Sequence, residues 1–135
     1  MTDVSYDLGD YSRPIRTTSA TAQVWFDRGI VWAFGFNHEE AVACFEEALR
    51  HDPHRAAAHW GIAYAVGPNY NQGWDAFDAV DLLASLDRAR PELVLAREAL
   101  AREVSIGETP PPHEAVDRAG RARRVRAPGC APRRQ

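Results

Sequence analysis

Apolar residues recur every three or four positions along residues 20–34 and again along residues 38–51, which predicts two α-helices. Ser19 is the expected N-cap of the first helix, and Gly35 is expected to end it. Asn37 is expected to cap the second helix, because its side chain can accept a backbone hydrogen bond from the first turn. Since only three residues separate the two segments, they predict a hairpin of two helices.

Small residues on both predicted helices indicate that their backbones approach closely. Gly29 lies between Trp25 and Trp32 on one face of the first helix. The residues that repeat at helical spacing on the second helix are Ala41, Phe45 and Ala48. We therefore expect Gly29 to let the second helix approach near Ala41 or Phe45.

The helical pattern continues beyond the hairpin in a less regular form. A third helix is predicted from about residue 54 to residue 66, where Gly67-Pro68 ends it. An amphipathic stretch follows over residues 76–90. Its expected apolar face consists of Phe77, Val80, Leu82, Leu83 and Leu86. Pro91 is expected to interrupt this stretch and to serve as the first residue of another helix, over residues 92–104.

One clear repeat and one irregular repeat follow from these segments. The clear repeat, residues 22–55, has large, small and turn residues at fixed positions, namely Trp25, Gly29, Trp32, Ala41, Phe45, Ala48 and Pro53. This order resembles the signature of the tetratricopeptide repeat. In the irregular repeat, residues 56–104, Ala63 takes the position of Gly29. The resemblance implies an all-α, right-handed stack of antiparallel helix pairs, a fold that holds partners and seldom does chemistry.

Two short elements resemble one group of bacterial tetratricopeptide proteins more closely. They are FNHEEA at residues 36–41 and WGIAYAVGPNYN at residues 60–71, and the resemblance extends over roughly residues 6–104. Members of that group are generally longer, with further repeats after this point. The resemblance therefore implies a truncated or frame-shifted member of the group.

The two ends of the chain lack this helical pattern. Residues 1–18 predict an extended lead-in whose apolar side chains lie over the first helix. The helical domain is predicted to occupy residues 19–106. Residues 107–135 are rich in Arg, Pro and Ala without apolar periodicity, so they predict a disordered tail. We prefer a displaced reading frame in GC-rich DNA to nucleic-acid binding as the origin of this tail.

Composition limits the class of protein further. A chain of 135 residues with 45% hydrophobic content suits one domain with a core. The net charge is -3, and all 16 cationic residues are Arg. The charge is uneven, because residues 1–112 hold 9 Arg against 17 Asp and Glu, whereas residues 113–135 hold 7 Arg against two acidic residues. The overall balance argues against a nucleic-acid partner.

Location and chemistry are predicted from what the residue pattern lacks. Two cysteines, Cys44 and Cys130, form no disulfide framework and fit a reducing compartment. The acidic N-terminus shows no signal peptide. The sequence contains no run of ~18 apolar residues, so no membrane span is expected. We therefore expect a cytoplasmic protein with no membrane partner. Since no catalytic constellation stands out, we expect neither enzymatic activity nor a cofactor.

The preferred functional hypothesis is a protein or peptide partner held in an aromatic concave groove. In tetratricopeptide stacks the first helix of each repeat lines such a groove. The residues expected to contact the partner are Gln23, Phe26, Ile30, Phe34, Trp60, Tyr64, Asn69 and Asn71. The protein would then act as a scaffold or adaptor. An alternative stays open, in which the lead-in or the helix of residues 77–86 fills the groove as part of the core.

A second hypothesis, from a different functional class, is a domain that binds a small ligand or a metal ion. His51, His54 and His59 surround the loop between the second and third helices, and imidazoles can hold zinc or copper. Their spacing matches no closed metal site, so this remains the weaker alternative. The GPNYN loop, residues 67–71, could present Asn side chains to a ligand, or those side chains could simply hold the loop.

The end of the predicted stack suggests one further contact. No helix pair follows residue 104 to cover Leu93, Ala96 and Leu100. Repeats bury their apolar faces on neighbouring repeats. This apolar face is therefore expected to be exposed, to be covered by self-association through the uncapped C-terminal helices, or to be packed inward by the irregular pieces.

Overall fold

A computed structural model describes residues 6–68 and 73–105 of the chain, and the structural statements below concern these ranges. The elements are α1 (Ala20–Phe34), α2 (His38–His51), α3 (Ala56–Val66), a short 3-10 turn (Trp74–Ala76) and α4 (Ala79–Ser105). The described ranges contain helices and no strand, so the all-α prediction is confirmed. The tail at residues 107–135 lies outside these ranges, and its disorder stays a prediction.

The first two helices have the predicted bounds and the predicted caps. The Ser19 hydroxyl accepts a hydrogen bond from the Ala22 N–H at 3.1 Å. The Asn37 side-chain oxygen accepts one from the Glu40 N–H at 3.4 Å. Each cap satisfies a donor of the first helical turn that has no partner within the helix. These local signals explain why the sequence alone located both helices.

The third helix begins later than expected. It starts at Ala56 instead of near His54, and it ends before Gly67 as predicted. Arg55, the residue before the helix, is extended, with φ -93° and ψ 110°. Its guanidinium Nε lies 2.9 Å from Oδ1 of Asp52. This ion pair joins the two ends of the loop between α2 and α3, so Arg55 belongs to the loop and the helix begins after it.

The expectation of two helices separated at Pro91 is wrong. A single helix of 27 residues, α4, contains Pro91 in its interior. Proline lacks the N–H that would bond to the carbonyl four residues earlier. The helix nevertheless packs against α3 on both sides of this position, because Ala89 and Ala99 are both buried. This packing compensates for the missing hydrogen bond.

The expected apolar face of residues 77–86 is also only partly correct. Leu82 and Leu86 are half-buried, but Val80 is 73% exposed and Leu83 is 59% exposed. The residues of α4 that are buried are Ala89, Ala99 and Glu103. The small side chains of Ala89 and Ala99 allow α4 to approach α3 closely. Because the face of α4 that carries these alanines packs on α3, several large apolar side chains on its other faces are exposed to solvent.

The core is organised around Phe45 of α2, whose side chain is fully buried. A Cβ atom at Gly29 of α1 would lie 2.5 Å from the Phe45 ring, and one at Gly61 of α3 would lie 2.8 Å from it. The ring therefore fills a slot between two glycines on two different helices. The predicted approach of α2 at Gly29 is confirmed, whereas Gly61, and not Ala63, provides the second close approach.

The lead-in runs along α1 in the opposite direction. Near its start, Tyr6 contacts Trp32 edge to face, with ring centroids 5.5 Å apart. Farther along, the N–H of Ile15 donates to the Gln23 side chain at 2.9 Å, and the Ile15 side chain is buried. Contacts at both ends therefore fix the lead-in onto the helix.

The remaining helix contacts follow chain order. α1 packs on α2, α2 on α3 and α3 on α4, with a smaller contact between α1 and α3. The start of α3 meets the end of α4, because the N–H of Ala56 donates to the Glu103 carboxylate at 3.0 Å. This arrangement leaves α1, α3 and α4 around a common depression, which the lead-in borders.

Candidate partner-binding groove

The depression between the lead-in, α1, α3 and α4 has a volume of about 530 Å³. We call it the Trp60 groove. Its apolar surface is formed by Ile15, Phe26, Ile30, Ala57, Trp60 and Leu100. A volume of this size accommodates one or two large side chains of a bound peptide, since ligand pockets are typically ~300–1,000 Å³.

The floor and the walls of the groove differ in exposure. Phe26 and Ile30 form the floor and are buried, and the Phe26 ring centroid lies 5.6 Å from that of Phe45. Both residues therefore stabilise the core and offer only part of their surface to the groove. Trp60, in the wall, is 45% exposed, and Leu100 opposite it is 52% exposed. The walls thus carry the apolar surface that a partner can still bury.

The Trp60 side chain is held by its neighbour one helical turn later. The rings of Trp60 and Tyr64 stack with centroids 5.4 Å apart and an interplanar angle of 20°. This pair occupies positions i and i+4 of α3, which lie on one face of a helix. Stacking on Tyr64 restricts the rotamers that Trp60 can adopt, so a ligand that contacted Trp60 would pay a smaller entropy cost.

The side chain of Gln23 is hydrogen-bonded to the lead-in. Its side-chain oxygen accepts the N–H of Ile15, and its side-chain nitrogen donates to the carbonyl of Arg13 at 2.9 Å. The same nitrogen donates to Oδ1 of Asp27 at 2.9 Å. Gln23 does not line the groove, and the lead-in covers this part of the predicted binding surface, as one of the alternatives anticipated.

The other predicted contact residues divide into three groups, and Tyr64, which stacks on Trp60, is not among the residues that line the groove. The structure brings Phe26, Ile30 and Trp60 together in the groove. Phe34 lies at the end of α1, is 60% exposed and does not line the groove. Asn69 and Asn71 lie outside the described residues, so their part in binding stays a prediction.

Charged residues border the groove, and the sequence pattern does not reveal them. Three arginines, Arg13, Arg16 and Arg97, line it together with a single acidic residue, Glu103. Glu103 is buried, and its carboxylate accepts the N–H of Ala56 at the start of α3. A carboxylate at a helix N-terminus is stabilised by the helix dipole, so Glu103 serves the fold.

A polar network closes one end of the groove. The Thr17 hydroxyl donates to Oδ2 of Asp52 at 2.6 Å, and Arg55 pairs with Oδ1 of the same residue. Arg55 also donates to the carbonyl of Arg16, and Arg16 donates to the carbonyl of Glu103 at 3.3 Å. The network joins the lead-in, the loop between α2 and α3, and the end of α4, and it fixes the position of Arg16.

Burial raises the pKa of Asp27 above its ordinary value of 3.8. Hydrogen bonds to this carboxylate from the Arg13 N–H and from the Ser12 and Gln23 side chains lower the pKa, but burial outweighs them. Asp27 lies on α1, next to the groove, and the Arg13 N–H lies 2.9 Å from its Oδ1. The carboxylate therefore anchors the lead-in at the position from which the Arg13 side chain extends.

A second depression lies between α2 and α4. It contains four carboxylates, those of Glu39, Glu40, Glu46 and Glu47, together with Arg50 and Arg88. Arg50 pairs with Glu47 at 2.8 Å, and Arg88 lies 3.5 Å from Glu46. Because these charges are only partly paired within the protein, the depression is a solvated, charged surface. It is less suited to an apolar ligand than the Trp60 groove is.

The histidines proposed as metal ligands are not brought together. His51 Nε2 lies 3.4 Å from Glu47, whereas His59 Nδ1 lies 2.7 Å from Glu92 of α4. His54 is exposed in the loop. Within the described ranges no group of three His, Cys, Asp or Glu side chains has the arrangement of a metal site. In this structure His59 links α3 to α4.

Comparison with other proteins adds no relative, since no protein-family model, curated protein or solved structure matches this chain. None of the helices in the described ranges is both long enough and apolar enough to span a bilayer. The described residues form helices and no strand, and they enclose a concave groove that contains Phe26 and Trp60 and is bordered by arginines.

Proposed function

We propose that this protein is an interaction module of the tetratricopeptide type, a scaffold or adaptor that binds a peptide segment of a partner in the Trp60 groove. The observation that carries the proposal is the exposure of Trp60 in a groove wall, opposite exposed Leu100. Burying a large aromatic side chain supplies much of the energy of many interfaces, and tryptophan is enriched among the residues that dominate binding.

The packing of the helices supports the tetratricopeptide part of the proposal. A large aromatic residue of α2 sits against glycines of α1 and α3, so the three helices approach one another closely, as neighbouring helices do in a stack of helix pairs. The order of helix contacts along the chain also suits a stack. Cys44 is a buried thiol, which fits action in the cytoplasm, where thiols stay reduced.

The test is a selection of random peptides of about twelve residues on the full-length protein, followed by affinity measurement on the enriched sequences. We expect Trp60→Ala to weaken the binding of selected peptides by at least tenfold, because a hot-spot tryptophan contributes ~2 kcal/mol or more. Circular dichroism should show unchanged helicity, since Trp60 lies in the groove wall and not in the core.

Val80→Ala is the matched control, because Val80 is an exposed apolar residue of α4 outside the groove. It should leave peptide affinity unchanged. Failure to enrich any peptide whose binding depends on Trp60 would contradict the proposed function. Leu100→Ala provides a second groove variant, so the result does not depend on the stability of a single mutant.

We also propose a second contact, self-association through the outer surface of α4. Its basis is a set of apolar side chains on this helix that are exposed and do not line the Trp60 groove, namely Val80, Leu83, Leu93, Val94, Leu95 and Val104. Exposed apolar surface of this extent on one helix commonly marks an interaction site. A second copy of the chain would offer the same surface and cover it symmetrically.

A further inference from the structure

We infer that the segment bound in the Trp60 groove is acidic, with carboxylates flanking one bulky apolar side chain. This inference rests on the proposed function and specifies the chemistry of the partner. The apolar side chain would enter between Trp60 and Leu100, and the carboxylates would meet the guanidinium groups at the border of the groove. The distribution of charge around the groove supports this chemistry.

The groove carries the opposite charge to the rest of the described protein. Residues 6–68 and 73–105 contain 9 Arg against 15 Asp and Glu. Three of those nine, Arg13, Arg16 and Arg97, line the groove, which has only one carboxylate. A positive site on a negative body attracts an anionic partner and orients it during encounter.

The three guanidinium groups come from two separate elements. Arg13 and Arg16 belong to the lead-in, whereas Arg97 belongs to α4. Oδ1 of Asp27 accepts the backbone N–H of Arg13, which fixes the position from which its side chain extends, and the Arg16 guanidinium donates to the carbonyl of Glu103 in α4. Arginines from two different elements therefore border the apolar surface.

These charges are not neutralised within the described part of the chain. Among the described residues, neither Arg13 nor Arg97 takes part in an ion pair. The one carboxylate of the groove, Glu103, accepts the N–H of Ala56 and is buried. A bound segment that excludes water from Trp60 would strengthen the attraction between its carboxylates and these guanidinium groups.

The groove suits a peptide better than it suits a nucleic acid. Phosphates would also be attracted by three arginines, and a base could stack on Trp60. The further phosphates of a nucleic acid would, however, lie against a described surface on which acidic residues outnumber arginines. A cationic segment would bring its charges against guanidinium groups, which is unfavourable. An acidic segment with one Phe or Leu side chain satisfies both the charge and the apolar surface.

The test uses three pools of fluorescently labelled nine-residue peptides, each with Phe at the centre. The flanking positions hold Asp and Glu in one pool, Asn and Gln in the second, and Lys and Arg in the third. Binding to the full-length protein is followed by anisotropy at low and high salt, with a single-stranded oligonucleotide as a fourth probe. We expect the acidic pool to bind about tenfold more tightly than the neutral pool at low salt, since each exposed pair contributes roughly two- to fivefold.

Arg97→Gln should weaken the acidic pool by roughly two- to fivefold and leave the neutral pool unchanged. Arg90→Gln is the matched control, because Arg90 is an exposed arginine on the same helix but outside the groove. It should alter neither pool. The advantage of the acidic pool should shrink at high salt, because exposed charges are screened.

Each other outcome overturns the inference in a recognisable way. If the neutral pool binds as tightly as the acidic pool and depends on Trp60, the groove binds peptides and the charge inference is wrong. Preferential binding of the basic pool or of the oligonucleotide also contradicts it. If no pool binds although the wild type and the variants are folded under the assay conditions, both the inference and the proposed function are wrong.

Discussion

At the scale of single residues, Phe45 determines how closely three helices can pack. Its ring touches the positions where Gly29 and Gly61 lack a side chain. Any Cβ at those positions would overlap the ring unless a helix moved. Gly29 was identified from the sequence because it falls within a regular repeat. Gly61 was not, because the register of the second repeat is irregular and the register alone favours Ala63.

Gly29→Leu should lower the free energy of unfolding by about 1–3 kcal/mol or more, because the added side chain has no space beside Phe45. Urea denaturation followed by circular dichroism measures this change. Ala101→Leu, at an exposed position of α4, is the control of similar size and should have little effect. Equal stability of the two variants would show that α1 and α2 do not meet at Gly29.

The turn between α1 and α2 contains a residue with an unfavourable backbone conformation. Phe36 has φ 61°, in the left-handed region that glycine prefers, whereas Gly35 before it has φ -78°. We expect Phe36→Gly to raise the free energy of unfolding by up to about 1 kcal/mol, because it removes this strain. Phe36→Ala keeps the Cβ atom and should give no comparable gain. A lower melting temperature for the glycine variant would mean that contacts of the Phe36 ring outweigh the strain.

At the scale of secondary-structure elements, local signals and tertiary packing contribute differently. The caps Ser19 and Asn37 are local, and they allow α1 and α2 to be predicted from sequence. The continuity of α4 through Pro91 could not be predicted, because it depends on the packing of α4 against α3. Propensity disfavours proline inside a helix, but contacts on both sides of it preserve the helix here.

The residues of the candidate site also differ in whether local sequence signals or tertiary packing determine their place. Phe26, Ile30 and Trp60 were predicted from helical spacing, because each lies on a face that the period defines. Arg13, Arg16 and Arg97 were not predicted as part of the site. Two of them lie in a non-helical lead-in, and the third lies on a helix whose crossing of α3 no sequence pattern specifies. Their convergence is a property of the tertiary structure.

The attachment of the lead-in to α1 should depend on pH through Asp27. Its pKa is raised by burial in the folded state, so the folded protein holds this proton more tightly than the unfolded chain does. The contribution of Asp27 to stability is therefore most favourable at low pH. It decreases as pH rises from the ordinary value of 3.8 through the raised pKa.

Asp27→Asn should remove this decrease, because the amide keeps an oxygen acceptor for the Arg13 N–H and has no charge to bury. Stability measured by urea denaturation between about pH 4 and pH 6 should then fall less steeply with pH in the variant than in the wild type. Parallel pH profiles for the two proteins would contradict the assigned effect of burial on Asp27.

At the scale of the whole molecule, the described residues expose apolar side chains on two surfaces to which we assign the proposed contacts. One is the Trp60 groove, and the other is the outer surface of α4, which no described element covers. Repeat proteins cover such end surfaces with capping helices or with another molecule. Because α4 contributes to both surfaces, partner binding and self-association could influence each other.

Sedimentation of the protein over a range of concentrations should reveal a dimer or a larger species. Val94→Glu, which places a charge on the exposed surface of α4, should shift the equilibrium towards the monomer while leaving helicity unchanged. Glu39→Gln, at an exposed position of α2, is the control and should leave the equilibrium unaltered. A monomer at all concentrations would show that self-association does not bury the exposed apolar surface of α4.

The most direct test of the groove is to map the binding of a selected peptide by nuclear magnetic resonance of the ¹⁵N-labelled full-length protein. We expect the largest chemical-shift changes at the amides of Trp60, Arg97 and Leu100 and at the Trp60 indole. Shifts along Val80 and Leu83 should be small. If the largest changes instead fall on α2 or on the outer surface of α4 while the groove resonances stay unchanged, the Trp60 groove is not the binding site.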